Sequence, residues 1–307
     1  MDLEKRFNNI YADFDKYIWI PIGLVLVSLL ILGGNYLATG EFVGKGLDFT
    51  GGTEVTYAVE GTFSTGEVEE VFANQGYMGV NALRLESQGS NQSQLVVQIP
   101  PPSINGSEQA EQIMENAGYN ATARSFTSIS TAVSGQFFLQ ASLAFALAFM
   151  IMSLVIFAAF KDVVPSMAVI FAATGDIIVA LAGMALFNIQ LTLGSFAALL
   201  MLIGYSVDTD IVLSTRALKR ERGTLRKRMW ESMKTGVTMS SGGIAGFTLL
   251  FMVSYAIVGP SELSNIASVM LIGLLADMPL TWFGNAIILK KYIKGDFSSL
   301  EDIIKWK

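Results

Sequence analysis

The chain has 307 residues, 52% of them hydrophobic and only 15% charged, with a formal net charge of −6, a mean hydropathy of +0.50 and a sequence pI near 4.8. This composition excludes an ordinary soluble domain and points to a polytopic membrane protein. Neither cysteine nor histidine is present, which removes disulfides, thiol catalysis, histidine metal ligation and imidazole proton relays together. Proton chemistry in this chain therefore falls to carboxylates, Lys or Tyr.

Six stretches are long and apolar enough to cross a hydrocarbon core of about 30 Å: Tyr17–Leu37, Phe137–Phe160, Val163–Phe187, Leu191–Leu213, Gly236–Val258 and Leu263–Leu289. The first follows a polar start, residues 1–16. It exceeds a signal-peptide core and no small-residue cleavage pattern follows, so it reads as an uncleaved anchor.

Residues 38–135 are polar and strongly acidic, with eleven Asp and Glu against Lys45, Arg84 and Arg124. Thr53–Val59 alternates like a strand, and Ser64 with Glu67 predicts a capping box opening a helix that closes near Gly76. Val80–Glu86 and Leu95–Ile99 read as strands joined by the turn-rich stretch Gln88–Ser93. Ser107 is expected to cap a second helix ending near Gly118, and Ala121–Ile129 forms the last strand. The order β-α-β-β-α-β is that of a ferredoxin-like domain, connected to the bundle by short Gly-rich segments at Gly40–Gly52 and around Gly135 that would allow it to move.

Orientation follows from the basic loops. Residues 214–235 hold Arg216, Lys219, Arg220, Arg222, Arg226, Lys227, Arg228 and Lys234 against Glu221 and Glu231. Placing this loop in the cytoplasm also places Lys5, Arg6 and Lys16 there, with the tail 290–307 that carries Lys290, Lys291 and Lys294. Residues 38–135 then lie outside, with the three Asn-x-Ser/Thr sequons at Asn91, Asn105 and Asn120. The basic loop is read as a topology determinant and lipid contact, with no nucleic-acid role.

Four acids fall within or at the edge of the spans: Asp176, Asp208, Asp210 and Asp277. Charged and unpaired, each would cost roughly 2.5–3.5 kcal/mol at the bilayer centre. They are the candidate ion-relay groups, binding and releasing protons or cations as the bundle changes state. Asp208 lies about 26 Å along its helix from Leu191, and Asp208 and Asp210 point about 200° apart, so they cannot face the same neighbour. The structural alternatives are contact with interfacial water and the nearby Arg216 and Lys234 for Asp208 and Asp210, hydroxyl bonding for Asp176, and bonding to backbone released by Pro279 for Asp277. No GxxxxGK[ST] run is present, so no nucleotide site is expected. In the fifth span, Thr238–Gly246 reads TMSSGGIAG, whose small residues permit close helix approach.

GLDFTGGT at Gly46–Thr53, Gly175-Asp176, GYSVDTDIVLSTR at Gly204–Arg216 and ESMKTGVTMS at Glu231–Ser240 together resemble the SecF branch of the SecD/SecF family of protein-export membrane proteins, archaeal type, over nearly the whole chain. The resemblance implies an RND-like six-helix bundle with an extracytoplasmic α+β domain inserted between spans 1 and 2. It also implies pairing with SecD into a twelve-span assembly beside a SecY-type channel, in contact with translocating polypeptides. The energy source implied is a proton or sodium gradient, without covalent catalysis, cofactor or metal. Bacterial members carry GYS, an aliphatic residue and NDT; here Val207 is followed by Asp-Thr-Asp, so the family acid aligns with Thr209, between Asp208 and Asp210. Lys234 falls where many bacterial members have Arg, and Asp48, Gly51 and Gly52 would form a hinge after the first span, with Gly204 opening the fourth-span motif. Two rivals remain: half of an RND-type exporter of lipid or a small hydrophobic solute, and a structural organiser of the translocase without ion coupling.

Overall fold

The computed structural model describes residues 7, 11, 13–60, 63–85, 92–104, 106–219, 223–257 and 259–295. Lys5, Arg6, the turn over 86–91, the sequons at Asn91 and Asn105, residues 220–222 of the basic segment, Val258 and the tail from 296 lie outside the described residues.

The inserted domain is a four-stranded sheet of β1 (Gly52–Glu60), β2 (Asn81–Leu85), β3 (Gln92–Ile99) and β4 (Ala121–Ile129), in the order β2-β3-β1-β4. Every neighbouring pair is antiparallel, with Val55 opposite Val97 and Phe126. Strand alternation sends Val55, Tyr57 and Val59 of β1 and Leu95, Val97 and Ile99 of β3 to one face, against Val68 and Phe72 of helix Thr65–Asn74 and Ala110, Ile113 and Met114 of helix Ser107–Asn116. Each fully buried large aliphatic or Phe there contributes about 1.5–3 kcal/mol. Burial pushes the Tyr57 phenol well above its ordinary range, with the Glu111 carboxylate adding to the shift.

The two helix starts differ from the sequence reading. Ser64 occupies the N-cap but makes no side-chain cap bond. Gly106 is the cap of the second helix, whose first residue is Ser107. A capping box needs the hydroxyl to turn back onto the first turn, and backbone geometry decides that, not spacing. The helix ends follow the glycines: Gly76 and Gly118 take φ of +92° and +85°, conformations open to glycine at no Cβ penalty.

Among the described residues, six helices are long and apolar enough to cross a membrane: Phe14–Thr39, Thr131–Phe160, Val163–Leu186, Leu193–Lys219, Leu225–Ile257 and Glu262–Lys294. The fourth and fifth spans run past their apolar stretches, so most of residues 214–235 is helical. Charged side chains end an apolar run without ending a helix, since Arg and Lys are good helix formers. The second span likewise begins at Thr131, capped by the Ser130 hydroxyl accepting from Val133 N at 3.4 Å, one residue after β4 ends.

The segment after the first span is fastened to the bundle. Gly46 N donates to Leu191 O at 2.8 Å and Leu191 N to Gly44 O at 2.7 Å. In the short helix Leu47–Thr50, the Asp48 carboxylate accepts from Leu193 N at 2.9 Å, at the start of the fourth span. The Ser134 hydroxyl of the second span donates to Leu47 O at 3.2 Å, and Phe49 packs edge-on to Phe138 and Phe196. Gly51 and Gly52 have φ of +75° and +133°, and a Cβ on Gly51 would come within 3.0 Å of backbone at Ile129 and Thr131. The two glycines thus let the chain turn from helix into β1 where three backbone segments meet.

Candidate functional site

The fourth span buries Leu202, Ser206, Asp210, Ser214 and Ala217 on one stripe, a spacing of three to four residues that forms one helix face. Opposite it, the sixth span sets Asp277, Thr281 and Asn285 at four-residue intervals. Pro279 lies inside that helix, and Thr281–Asn285 forms a π-helical turn, a local widening that recurs at functional positions. Asp176 enters from the third span and Ser240 from the fifth.

Asp176 pairs with Ser206, and Asp210 and Asp277 share Thr281, with Asn285 and Ser240 completing the polar cluster. The Ser206 hydroxyl donates to Asp176 Oδ2. The Thr281 hydroxyl lies 3.1 Å from Asp277 Oδ1 and 3.0 Å from Asp210 Oδ1, Asn285 Nδ2 donates to the same Asp210 oxygen at 2.8 Å, and Ser240 Oγ reaches Asp277 Oδ2 at 3.4 Å. Asp176, Asp210 and Asp277 are at most 1% exposed. Among the described residues, no Lys or Arg forms an ion pair with any of them.

Glycines let the helices approach closely here. A Cβ on Gly175 would collide with Leu280, and one on Gly236 would sit 2.5 Å from the Trp282 ring and 2.9 Å from Thr209 Cγ2. In the TMSSGGIAG run, Ser240 joins the cluster and Gly243 packs near Leu274 and Tyr205, whereas Gly242 and Gly246 have nothing within 4 Å of a Cβ.

The remaining candidates lie elsewhere. Asp208 is exposed on the opposite side of the fourth span, as the 200° separation requires. Gly204, also exposed, has open space where a Cβ would stand. Arg216 donates from Nη1 to Glu231 O at 2.9 Å and to Thr235 Oγ1 at 2.7 Å. The exposed Lys234 ammonium sits 5.7 Å from the Trp230 ring centroid. Arg216 and Lys234 share a cavity of about 600 Å³ with Glu231, Thr235, Thr238 and Met239, without touching the three buried acids. Asp48, Gly51 and Gly52 are at the junction with the inserted domain. Asp277 takes its bonds from Thr281 and Ser240 side chains; no bond from it to backbone freed by Pro279 is seen among the described residues.

Ser206, Thr281 and Asn285 complete the site without having stood out in the sequence, and Ser240, read there as a small packing residue, joins them. The available signal was the four-residue spacing Ser206-Asp210-Ser214 and Asp277-Thr281-Asn285. Chemically, the cluster offers three carboxyls around a few hydroxyls and one carboxamide. The Thr281 hydroxyl has one hydrogen for two carboxylate oxygens, so its second contact becomes attractive only when a carboxyl brings a proton or a cation binds. Such an arrangement has the chemistry to accept a proton or a cation.

Fold and site together define a six-span membrane bundle with an α+β domain between its first and second spans and a buried carboxyl cluster. The sequence model of the family "Protein export membrane protein SecD/SecF, C-terminal" matches residues 109–295, more than half of the chain. The chain is 36% identical to the protein-export membrane protein SecF of Methanothermobacter thermautotrophicus over 94% of its own length and 95% of that protein's. It is 37% identical to the SecF of Haloferax volcanii over 89% and 90%. The chain belongs to the SecD/SecF family of protein-export membrane proteins and is SecF-type. Among solved structures, SecDF from Thermus thermophilus, a translocon-associated membrane protein, superimposes with a TM-score of 0.74 at 18% identity. That match shows the fold; it covers 92% of this chain but 38% of the SecDF chain.

Proposed function

We propose that this protein is an ion-gradient-coupled subunit of the Sec export machinery, acting with SecD beside a SecY-type channel and without covalent catalysis or cofactor. The observation that carries this reading is the cation-free burial of Asp176, Asp210 and Asp277 in one polar cluster contributed by four spans. Moving one charge through the membrane field is worth about 2.3 kcal/mol per 100 mV, enough to bias a conformational change of a few kcal/mol. The basic ends of the spans face the cytoplasm and the acidic α+β domain faces outward, where it handles the emerging polypeptide. Pairing with SecD is supported by the much greater length of the SecDF chain and by open small-residue positions on the fourth and fifth spans, Gly204, Gly242 and Gly246.

The test is pulse-chase export of a secreted protein in a strain whose native copy is replaced. Asp210→Asn is expected to slow export about tenfold, equivalent to about 1.4 kcal/mol, with Asp208→Asn closer to wild type. Normal export with Asp210→Asn would sink the coupling. An export defect restricted to lipid or small solutes would favour the exporter reading, and loss of export only on separating the chain from SecD would favour a structural organiser.

A further inference from the structure

The Asp210 carboxyl is supplied unevenly. Both of its donors, Thr281 Oγ1 at 3.0 Å and Asn285 Nδ2 at 2.8 Å, converge on Oδ1. Among the described residues, Asp210 Oδ2 has no partner, and Asn285 Oδ1, on the very side chain that binds Asp210, has none either. Both residues are at most 1% exposed. Two orphaned acceptor oxygens on a buried, bonded pair are costly, about 1–3 kcal/mol each. A single hydrogen placed between them satisfies both.

We propose that Asn285 is the positioning residue that holds a proton on Asp210. When Oδ2 is protonated its O–H donates to Asn285 Oδ1, while Asn285 Nδ2 donates to Asp210 Oδ1. Carboxyl and carboxamide then close an eight-membered ring with two antiparallel hydrogen bonds. Loss of the proton breaks one of these and sets two lone-pair-bearing oxygens against each other, so the sixth span is pushed away from the fourth at this point. The π-helical turn that carries Asn285 is where such a displacement is most easily absorbed. Asn285 thereby converts the protonation state of Asp210 into a change in spacing between two helices.

Other groups facing Asp210 are few. From the sixth span comes Asp277, through Thr281, and from the third Asp176, beyond Ser206. The fifth span adds the neutral Ser240 and keeps Lys234 exposed. Further along the sixth span, Lys290 is paired with Asp15 at 3.2 Å. None of these supplies a donor to Asp210 Oδ2.

This inference rests on the ion-coupling reading. It is tested on the full chain with its partner in sodium-free lipid vesicles, by infrared difference spectroscopy between acidic and alkaline buffer. Wild type is expected to show a carboxyl C=O band that Asp210→Asn abolishes and Asn285→Leu moves to the higher wavenumber of a less strongly bonded acid. The pH at half-titration should move by about one unit or more, a tenfold change in proton affinity. Asn285→Gln, which keeps the carboxamide, is expected to retain the low-wavenumber band. An Asp210 band unchanged in Asn285→Leu overturns the proposal. So does erasure of the wild-type band by sodium at fixed pH, a measurement that needs no variant and would place a cation between the two oxygens. Because export by Asp210→Asn is scored separately, normal export there refutes the coupling, whereas lost export with an unmoved Asn285→Leu band refutes only this role for Asn285.

Discussion

The third, fourth and sixth spans are half or more buried in their most apolar stretches, 50–56%, whereas the first, second and fifth are 11–17% buried. Among the described residues, the inner three carry all the buried acids, and of the outer three only the fifth touches the polar cluster, through Ser240. Hydropathy runs the other way from what burial in a soluble protein would require: the most apolar span, Thr131–Phe160, is the least buried. In lipid, apolar surface has no reason to hide, so close packing goes where polar groups must be satisfied. The inner spans are thus organised around chemistry and the outer ones around what surrounds the chain.

That contrast can be broken at several points. Largest is the inner core itself: Gly175→Leu forces a side chain onto Leu280 beside Asp176 and should destabilise the protein by about 1–3 kcal/mol through overpacking. Thermal unfolding in detergent checks this, and an unchanged melting temperature would mean the third and sixth spans are loosely packed. At the junction, Asp48→Ala removes the acceptor for Leu193 N and is expected to cost about 1 kcal/mol, as for other lost helix caps, read by the same melt. Comparable to Asp48→Ala and at the same junction, Ser134→Ala deletes the bond to Leu47 O, for a loss of about 0.5–1.5 kcal/mol, again read by the melt. On an outer face, Gly246→Leu should leave the melting of the isolated chain within about 0.5 kcal/mol of wild type yet reduce recovery of SecD on co-purification. If partner recovery is untouched, that face meets lipid alone.

Much of this layout was legible in the residues. Span number follows from length and hydropathy, and the strand-helix order of the inserted domain from alternation and its glycines. The acids declared themselves by being charged in apolar runs. What stayed hidden was which fourth-span acid is buried. The inward stripe there includes Ser206, Asp210 and Ser214, and polar residues on a buried face look like exposed ones to any hydrophobicity count. The partners of Asp210 were hidden for a related reason: Thr281 and Asn285 stand at helical spacing from Asp277, but an uncharged hydroxyl and carboxamide in an apolar run do not announce themselves as a charge does. The connection Gly40–Gly52 reads as loose in sequence because glycine permits bending. Its hydrogen bonds to Leu191 and Leu193 come from residues about 145 positions away in the chain, beyond the reach of local pattern.

One of those bonds has a mechanical meaning. Asp48 grips the first turn of a helix of 27 residues, a rod of about 40 Å, and only a few residues separate Asp48 from the central strand of the outer domain. A tug on that strand is therefore delivered axially to the helix bearing Asp210, without passing through a flexible tether. On the proposed coupling, force on that strand and proton occupancy of Asp210 are two handles on the same rod.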